Sequence, residues 1–440
     1  MKHLDEASVR GEYKVATYSR YLLPSLRYHL SVHNLHQTHL DKLDMTAKKY
    51  IKSWMNIPSR GVTELTFFHP HLLGIKPPSQ LYFEGHAGNY INSRIKGDTV
   101  VNAALDSALN REKQWEKKSS TLVKCDSIFT EISETQFIPT AANTINLACS
   151  TSVELPKIKQ VITEKISNEY RDYFNDQVNN LTMQGDFLKL LIEEEEDVTW
   201  KSIIYSVPKG IMSFACRAAT NSLATNDNLL RWGKRSNSTC NMPECFQKGT
   251  LLHVLNGCKK MLDQGRFTWR HDNVLHYMAK YLTQNKKDNL DIYIDIPQFS
   301  VCGGSLPPNI ITTSQKPDIV IIDNNTTPVT VHLYELTCPF DTNLLSANSY
   351  KKDKYSGLKQ DIMNNGFTCH LIPFEIGSRG MIQRRVKLIL LSMMKSCSTI
   401  KPPHNHQHIV NISKVALISS FSIFHARKSA QWNDPPVLSP

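Results

Sequence analysis

"QKPDIVIIDNNTTPVTVHLYELTCPF", residues 315–340, holds two β-branched apolar runs, Ile319–Ile322 and Val329–Tyr334, joined by an Asn/Thr/Pro turn. The pattern predicts a β-hairpin. Asp318 stands at the mouth of the first strand and Glu335 at the end of the second. A hairpin that only had to fold would favour apolar, Thr or aromatic residues there. Two carboxylates at adjacent strand ends can share a divalent cation, and Mg2+ takes one or two carboxylates plus waters and phosphate oxygens. Such a cation polarises a phosphodiester and activates water. The plainer readings are a strand cap for Asp318 and a surface cross-strand partner for Glu335. Downstream, "SANSYKKDKYSGLKQDI" predicts a helix with Lys351 and Lys354 three apart on one face and Tyr355 beside them. If that helix crosses the hairpin, a lysine reaches the carboxylates.

Upstream, "CNMPECFQKGTLLHVLNGC" places Cys240, Cys245, His253 and Cys258 in one short run. Three thiolates and an imidazole make a tetrahedral zinc set with no open position, so the site is expected to be structural. The module is too small to fold on apolar burial, and metal binding would supply its folding energy. It is expected to fold apart from the hairpin. The chain has 10 cysteines, and its start, "MKHLDEASVRGEYKVA", has no apolar signal core. Reduced cysteines, and metal before disulfides, are therefore expected. No run of 18 apolar residues occurs, so no membrane span is expected.

The net charge of +11 points to a polyanionic partner, with nucleic acid the commonest. Residues 14–110 read mainly helical. From Leu40, the positions Leu43, Ala47, Tyr50, Ile51 and Trp54 share one helix face, and Pro58 ends the helix. Lys42, Lys48, Lys49 and Lys52 form the opposite face, either a solvated surface or a phosphate-facing stripe. His29, His33, His36 and His39 are close in sequence but lack the Cys or carboxylate partners usual at a metal site. Residues 116–160 are Ser/Thr/Asn-rich and read as a linker or insertion. Arg231, Lys234 and Arg235 follow a short helix capped near Asp227, and Lys259 and Lys260 flank the last cysteine. Residues 266–285 predict an amphipathic helix with Val274, Leu275, Met278 and Leu282 on one side. His271 and Asp272 lie near its start, Asp272 being either a further metal ligand or a first-turn acid. The segment after Lys401, with "HNHQH" and "NDPPVLSP", reads as a flexible tail.

Taken together, "KPDIVII…YELTCPF…YKKDKY" resembles the PD-(D/E)xK nuclease core, and in particular the restriction-like endonuclease domain of R2-like non-LTR retrotransposons. In that group the catalytic lysine is displaced onto the following helix. Here Thr337 stands where the strand lysine would be, and Lys351 or Lys354 would replace it. A Cys-Cys-His-Cys knuckle precedes the nuclease in the family, and Cys240, Cys245, His253 and Cys258 match it. "LATNDNLLRWG" and "GRFTWRHDNVL" resemble the family's linker on either side of the knuckle. "FEIGSRG", with Glu375, resembles the strand and turn after the catalytic helix. "YLLPSLRYHL" and "LDKLDMTAKKYIKSWMNIP" are similar to the thumb that follows the polymerase palm. The resemblance runs over residues 14–395 and is strongest in 223–380.

The resemblance implies a multidomain chain. Residues 1–115 would be a helical thumb, 116–200 a linker or insertion and 201–238 a helical linker. Residues 239–262 would be the zinc knuckle, 263–400 an α/β PD-(D/E)xK nuclease and 401–440 a tail. It implies Mg2+ on Asp318 and Glu335, with Lys351, Lys354 and Tyr355 as further catalytic candidates. It implies structural Zn2+ on the knuckle and nucleic-acid contacts from Lys48, Lys49, Lys52, Arg231, Lys234, Arg235, Lys259 and Lys260. The partners would be double-stranded target DNA and element RNA, in the nucleus, with no membrane. No Asp-Asp dipeptide of a polymerase palm occurs. The expected activity is therefore a nick in target DNA without its extension. The alternative is a nucleic-acid-binding remnant that has lost catalysis.

Overall fold

The computed structural model describes residues 1–58, 62–70, 72–114, 120–133, 144–146, 152–194, 199–284, 286–296, 307–308, 310–311, 313, 315–397 and 405–437. It is mostly helical, with one four-stranded mixed sheet. The chain divides into two units: Met1–Arg60 with Glu64–Asn180, and Leu181–Pro440 with Gly61–Thr63.

In the first unit, α1 (Gln37–Trp54) and α2 (Pro78–Lys96) are packed helices. The α2 helix starts on Pro78, whose missing N–H would have no intrahelical partner anyway. It stops at Gly97, which takes the left-handed conformation and donates its N–H to the Arg94 carbonyl. Ala87, Tyr90 and Ile91 of α2 form a core with Cys125 and Ile128 of α3 (Thr121–Ser133) and Ile162 and Ile166 of α4 (Leu155–Asn179). This shared core runs across the expected boundary near residue 116. The segment read as an insertion carries apolar faces that complete α2, so the unit extends to Asn180. Residues 115–119, 134–143, 147–151 and 195–198 of that segment lie outside the described residues. The α1 face also differs from expectation. Leu40, Ala47, Ile51 and Trp54 are buried, Leu43 is exposed, and Lys52 is only 5% exposed. Burial lowers the Lys52 pKa, so this lysine does not belong to a solvated stripe.

In the second unit, the sheet order is β1 (Leu290–Ile294), β2 (Ile319–Asp323), β3 (Thr330–Thr337), β4 (Thr368–Glu375). The first two pairings are antiparallel and β3–β4 is parallel. A parallel pair needs a crossover, and α7 (Leu344–Asn364) supplies it. Because strand side chains alternate, Val320, Ile322, Val331 and Leu333 face α7, where Tyr355, Leu358 and Ile362 meet them. Ile319, Ile321, Tyr334 and Leu336 face the other side. There they pack with α6 (Arg266–Gln284), α8 (Arg384–Cys397) and α9 (Asn405–His425). The hairpin is as expected, except that β3 continues past Glu335 to Thr337.

The expected flexible tail is instead α9, a core helix. Ile409, Ile412, Val415 and Ala416 are buried against α6 and α8. His408 accepts from the Tyr277 hydroxyl or donates to it at 2.7 Å, and Tyr281 donates to Asn405 at 2.8 Å. Beyond the helix, Arg266 donates to the Ala426 and Ser429 carbonyls, and the Trp269 indole donates to Pro435. His404 lies outside the described residues. The helix is long and apolar enough to cross a membrane by length and composition, and most of that stretch is buried within the unit. Ile412→Ala is expected to destabilise the second unit by about 2–5 kcal/mol through the cavity it leaves. Urea unfolding checks this, and an unchanged midpoint would show that α9 is not core.

Candidate functional site

The sheet register builds the first cluster. Ile319 pairs with Tyr334, so Asp318 lies opposite Glu335 on the face that α7 covers. Lys351 is one turn before Tyr355 on the sheet-facing side of α7, with Leu358 and Ile362 following on the same stripe. Its Nζ donates to Glu335 Oε2 at 2.8 Å and approaches Asp318 Oδ2 at 3.5 Å. The two acids also hold each other's backbones. Glu335 Oε1 accepts from the Asp318 N–H at 3.1 Å, and Asp318 Oδ2 accepts from the Leu336 N–H at 2.8 Å.

Lys354 does not join this cluster. It is exposed, and its Nζ lies 4.8 Å from the Tyr355 ring centre. Tyr355 is buried and donates its hydroxyl to the Lys316 carbonyl at 3.2 Å. Glu375 lies apart, accepting from Asn348 at 2.7 Å and pairing with Arg385.

His271 joins the site through α6. Its Nε2 lies 3.4 Å from Asp318 Oδ2 and its Nδ1 lies 3.0 Å from Asp272 Oδ1. Burial alone would lower the His271 pKa, but the bonds and charges of Asp272 and Asp318 carry it up to about 9. Asp272 thus reaches Asp318 through the His271 ring. Burial would raise Asp318, but His271 and Lys351 outweigh it and hold the carboxyl below its usual value. Glu335 moves the opposite way. Burial and the Asp318 charge push it up to about 7 against the pull of Lys351. Adjacent carboxylates driven apart in this way are a pattern common at functional sites.

The second cluster is the Cys/His group. Thr239 bridges Lys248, and the Cys240 N–H donates to the Gln247 carbonyl, forming a tight hairpin that carries Cys240 and Cys245. A π-helical turn, His253–Gly257, carries the histidine, and Cys258 is the N-cap residue of α5 (Lys259–Asp263) after it. The ligand atoms of Cys240, Cys245, His253 and Cys258 all lie within 4.8 Å of one another. Two sulfur–sulfur distances are 3.9 Å, and Cys245 Sγ is 3.3 Å from His253 Nε2. A tetrahedron with Zn–S bonds of about 2.3 Å has edges of about 3.8 Å, so the spacing fits a metal ion such as zinc. Burial pushes the Cys240 thiol up to about 12 and also raises Cys258. A bound cation would reverse that by compensating the thiolates. Among the described residues, this is the one group of three or more such side chains that converges. The sequence-neighbouring histidines do other work: His36 caps α1 by accepting from the Thr38 N–H.

This cluster is not a module apart. Asn256 donates to the Cys338 carbonyl at 2.8 Å. Buried Arg270 donates to that same carbonyl at 2.8 Å, to Leu255 at 2.9 Å and to Ser420 Oγ at 3.1 Å. The Cys/His turn is therefore tied to the chain just beyond β3.

The basic candidates divide by what they touch. Lys48 pairs with Glu64 and Lys260 with Glu244. Arg231 lies 3.4 Å from Asp227, and Arg235 donates to Asn226 at 2.7 Å. Lys49, Lys234 and Lys259 are exposed and make no side-chain ion pair among the described residues. No family model and no curated protein matches the chain.

Proposed function

We propose that the chain is a metal-dependent endonuclease of the PD-(D/E)xK type that nicks double-stranded DNA. In this proposal it corresponds to the C-terminal part of an R2-like retrotransposon protein. One observation carries the reading. Asp318 and Glu335 face each other across two strands, and Lys351 from the crossover helix lies between them. The hard carboxylate oxygens suit Mg2+, and the position that Lys351 occupies is one where the fold already holds positive charge. Asp318 and Glu335 would hold the ion, which supplies polarisation of the phosphodiester and of a water. Lys351 Nζ, displaced toward the phosphate, would stabilise the charge that builds on the phosphorus oxygens. One such cation contributes on the order of 10²–10³ in rate. His271 orients Asp318 from behind. The Cys/His cluster would carry structural zinc, and the partners would be nuclear target DNA and element RNA.

The test is nicking of supercoiled plasmid by the full chain. Open circles are expected with Mg2+ and none with a chelator. Intact plasmid under both conditions would sink the proposal.

A second reading has its own support. Lys351 and His271 together pair with the two acids without a metal, as they would in a binding protein that has lost catalysis. Both readings require electrostatic attachment to nucleic acid. Each neutralised duplex phosphate adds about −0.9 to the slope of log affinity against log salt. Duplex affinity should therefore fall at least about tenfold between 50 and 200 mM salt if two or more phosphates are neutralised. A flat salt response, by fluorescence anisotropy, would remove both readings.

A further inference from the structure

The tight hairpin of the Cys/His turn ends in an aromatic side chain that the fold does not use. Phe246 is 88% exposed, and no ring or polar group of the described residues packs on it. Its backbone is nevertheless fixed. Cys245 on one side belongs to the convergent cluster and donates its N–H to Met242, and Gln247 on the other is held by Cys240. Glu244, just before, takes a left-handed conformation at φ 58°, so the chain accepts backbone strain to form this turn. A single exposed apolar residue needs no explanation by itself. The surroundings of this one supply it.

Residues 231–260 carry Arg231, Lys234, Arg235, Lys248, Lys259 and Lys260 against a single acid, Glu244. Trp232 is a second aromatic, 43% exposed, set among the first three of these cations. The 231–235 turn is tied to the hairpin. Arg235 donates to Asn226 and Asn241, and Asn226 donates to the Thr239 carbonyl and to Asn241. Exposed aromatics with interleaved cations suit a strand whose bases are free to stack and whose phosphates need neutralising. A duplex interior offers no base face to such a ring, because its bases already stack on one another.

We infer that Phe246 is a stacking platform for an unpaired base, and that the turn around the Cys/His cluster binds single-stranded nucleic acid. The inference rests on the nucleic-acid reading above but on different residues from the carboxylate site. Arg235 and Lys248 anchor the backbone, and Trp232, on the turn tied to the hairpin, offers a second exposed ring. The ring adds selection of unpaired over paired strands, which the lysines alone do not provide.

The experiment measures anisotropy of labelled 12-nucleotide oligo-U, oligo-dT and a blunt 12-base-pair duplex with the full chain. Loss of one stacked base should make Phe246→Ala bind the single strands roughly tenfold more weakly. Duplex binding should stay within about twofold, Phe246→Trp should retain wild-type affinity, and Phe246→Leu should behave like alanine. Oligo-U against oligo-dT shows which sugar is preferred, and binding of either supports the inference. Equal single-strand affinity for wild type and Phe246→Ala overturns it, as does an equal loss on single strand and duplex. Plasmid nicking by the same preparations reads the carboxylate site separately, so loss of one leaves the other standing.

Discussion

Asp318→Asn is expected to abolish Mg2+-dependent nicking, a fall on the order of 10³ in rate or more, while the chain stays folded. The substitution preserves volume, and the amide oxygen can still accept from the Leu336 N–H that now bonds Asp318 Oδ2. It removes the negative charge that Lys351 and His271 both face. Glu335→Gln should behave in the same way, since its oxygen can keep the Asp318 N–H. Lys351→Ala is a harsher change. It leaves buried Glu335 without its ammonium partner and only His271 facing Asp318, and an uncompensated buried charge costs about 3–5 kcal/mol in comparable sites. Lys354→Ala provides the contrast. Its ammonium lies over Tyr355 and touches neither acid, so nicking should stay within roughly twofold, the range of ordinary surface substitutions. The plasmid assay ranks all four variants. Wild-type rates for Asp318→Asn would reject the carboxylate site, and a larger loss for Lys354→Ala than for Lys351→Ala would reject the geometry of α7.

The hairpin and the Cys/His set were legible because each rests on local pattern. β-branched runs about a turn and a compact ligand spacing need no tertiary information. The choice between Lys351 and Lys354 was not made from the sequence, although a signal existed. Tyr355, Leu358 and Ile362 stand four, seven and eleven residues after Lys351, one continuous stripe. Lys354 is off it. The pairing of Asp318 with Glu335 was only half legible. The β2 and β3 runs are apolar on both faces, so alternation could not reveal which side each acid takes. His271 was noticed as part of the α6 start, but its contact with Asp318 depends on how α6 packs on the sheet. At α9 the sequence pattern points away from the structure. Its Ser and Asn residues dilute the apolar pattern, and "HNHQH" at its start and "NDPPVLSP" beyond its end look like tail. Yet Ser413, Ser419 and Ser420 are themselves buried, and the Ser420 hydroxyl accepts from Arg270. Lys52 misled for a similar reason: a lysine stem can lie among apolar neighbours, and periodicity counts only its charge.

Cys245→Ser is expected to remove a stoichiometric metal and to disturb more than the turn that holds it. The wild type should contain one zinc per chain by elemental analysis. Absorption spectroscopy should give Zn–S distances of about 2.3 Å and a Zn–N distance of about 2.0–2.1 Å. Metal supplies about 10–16 kcal/mol in isolated finger peptides. Here Leu251, Val254, Leu255 and Met261 are also buried, so part of the order survives on packing and the loss should be smaller. Hydrogen exchange should rise first across residues 236–262. It should then rise at Cys338, because Asn256 and Arg270 both donate to its carbonyl and Arg270 also holds Leu255. Cys338 is three residues beyond Glu335, so loosening the Cys/His turn frees the end of the strand that positions a candidate catalytic acid. The hairpin itself should persist, since its two faces are sealed by α7 on one side and by α6, α8 and α9 on the other. The nicking rate should fall with that loosening even though no residue of the carboxylate site has changed. If exchange rises only within 236–262 and nicking is untouched, the Arg270 link transmits nothing. If the wild type holds no stoichiometric zinc, the four side chains converge for some other reason and the metal centre is withdrawn.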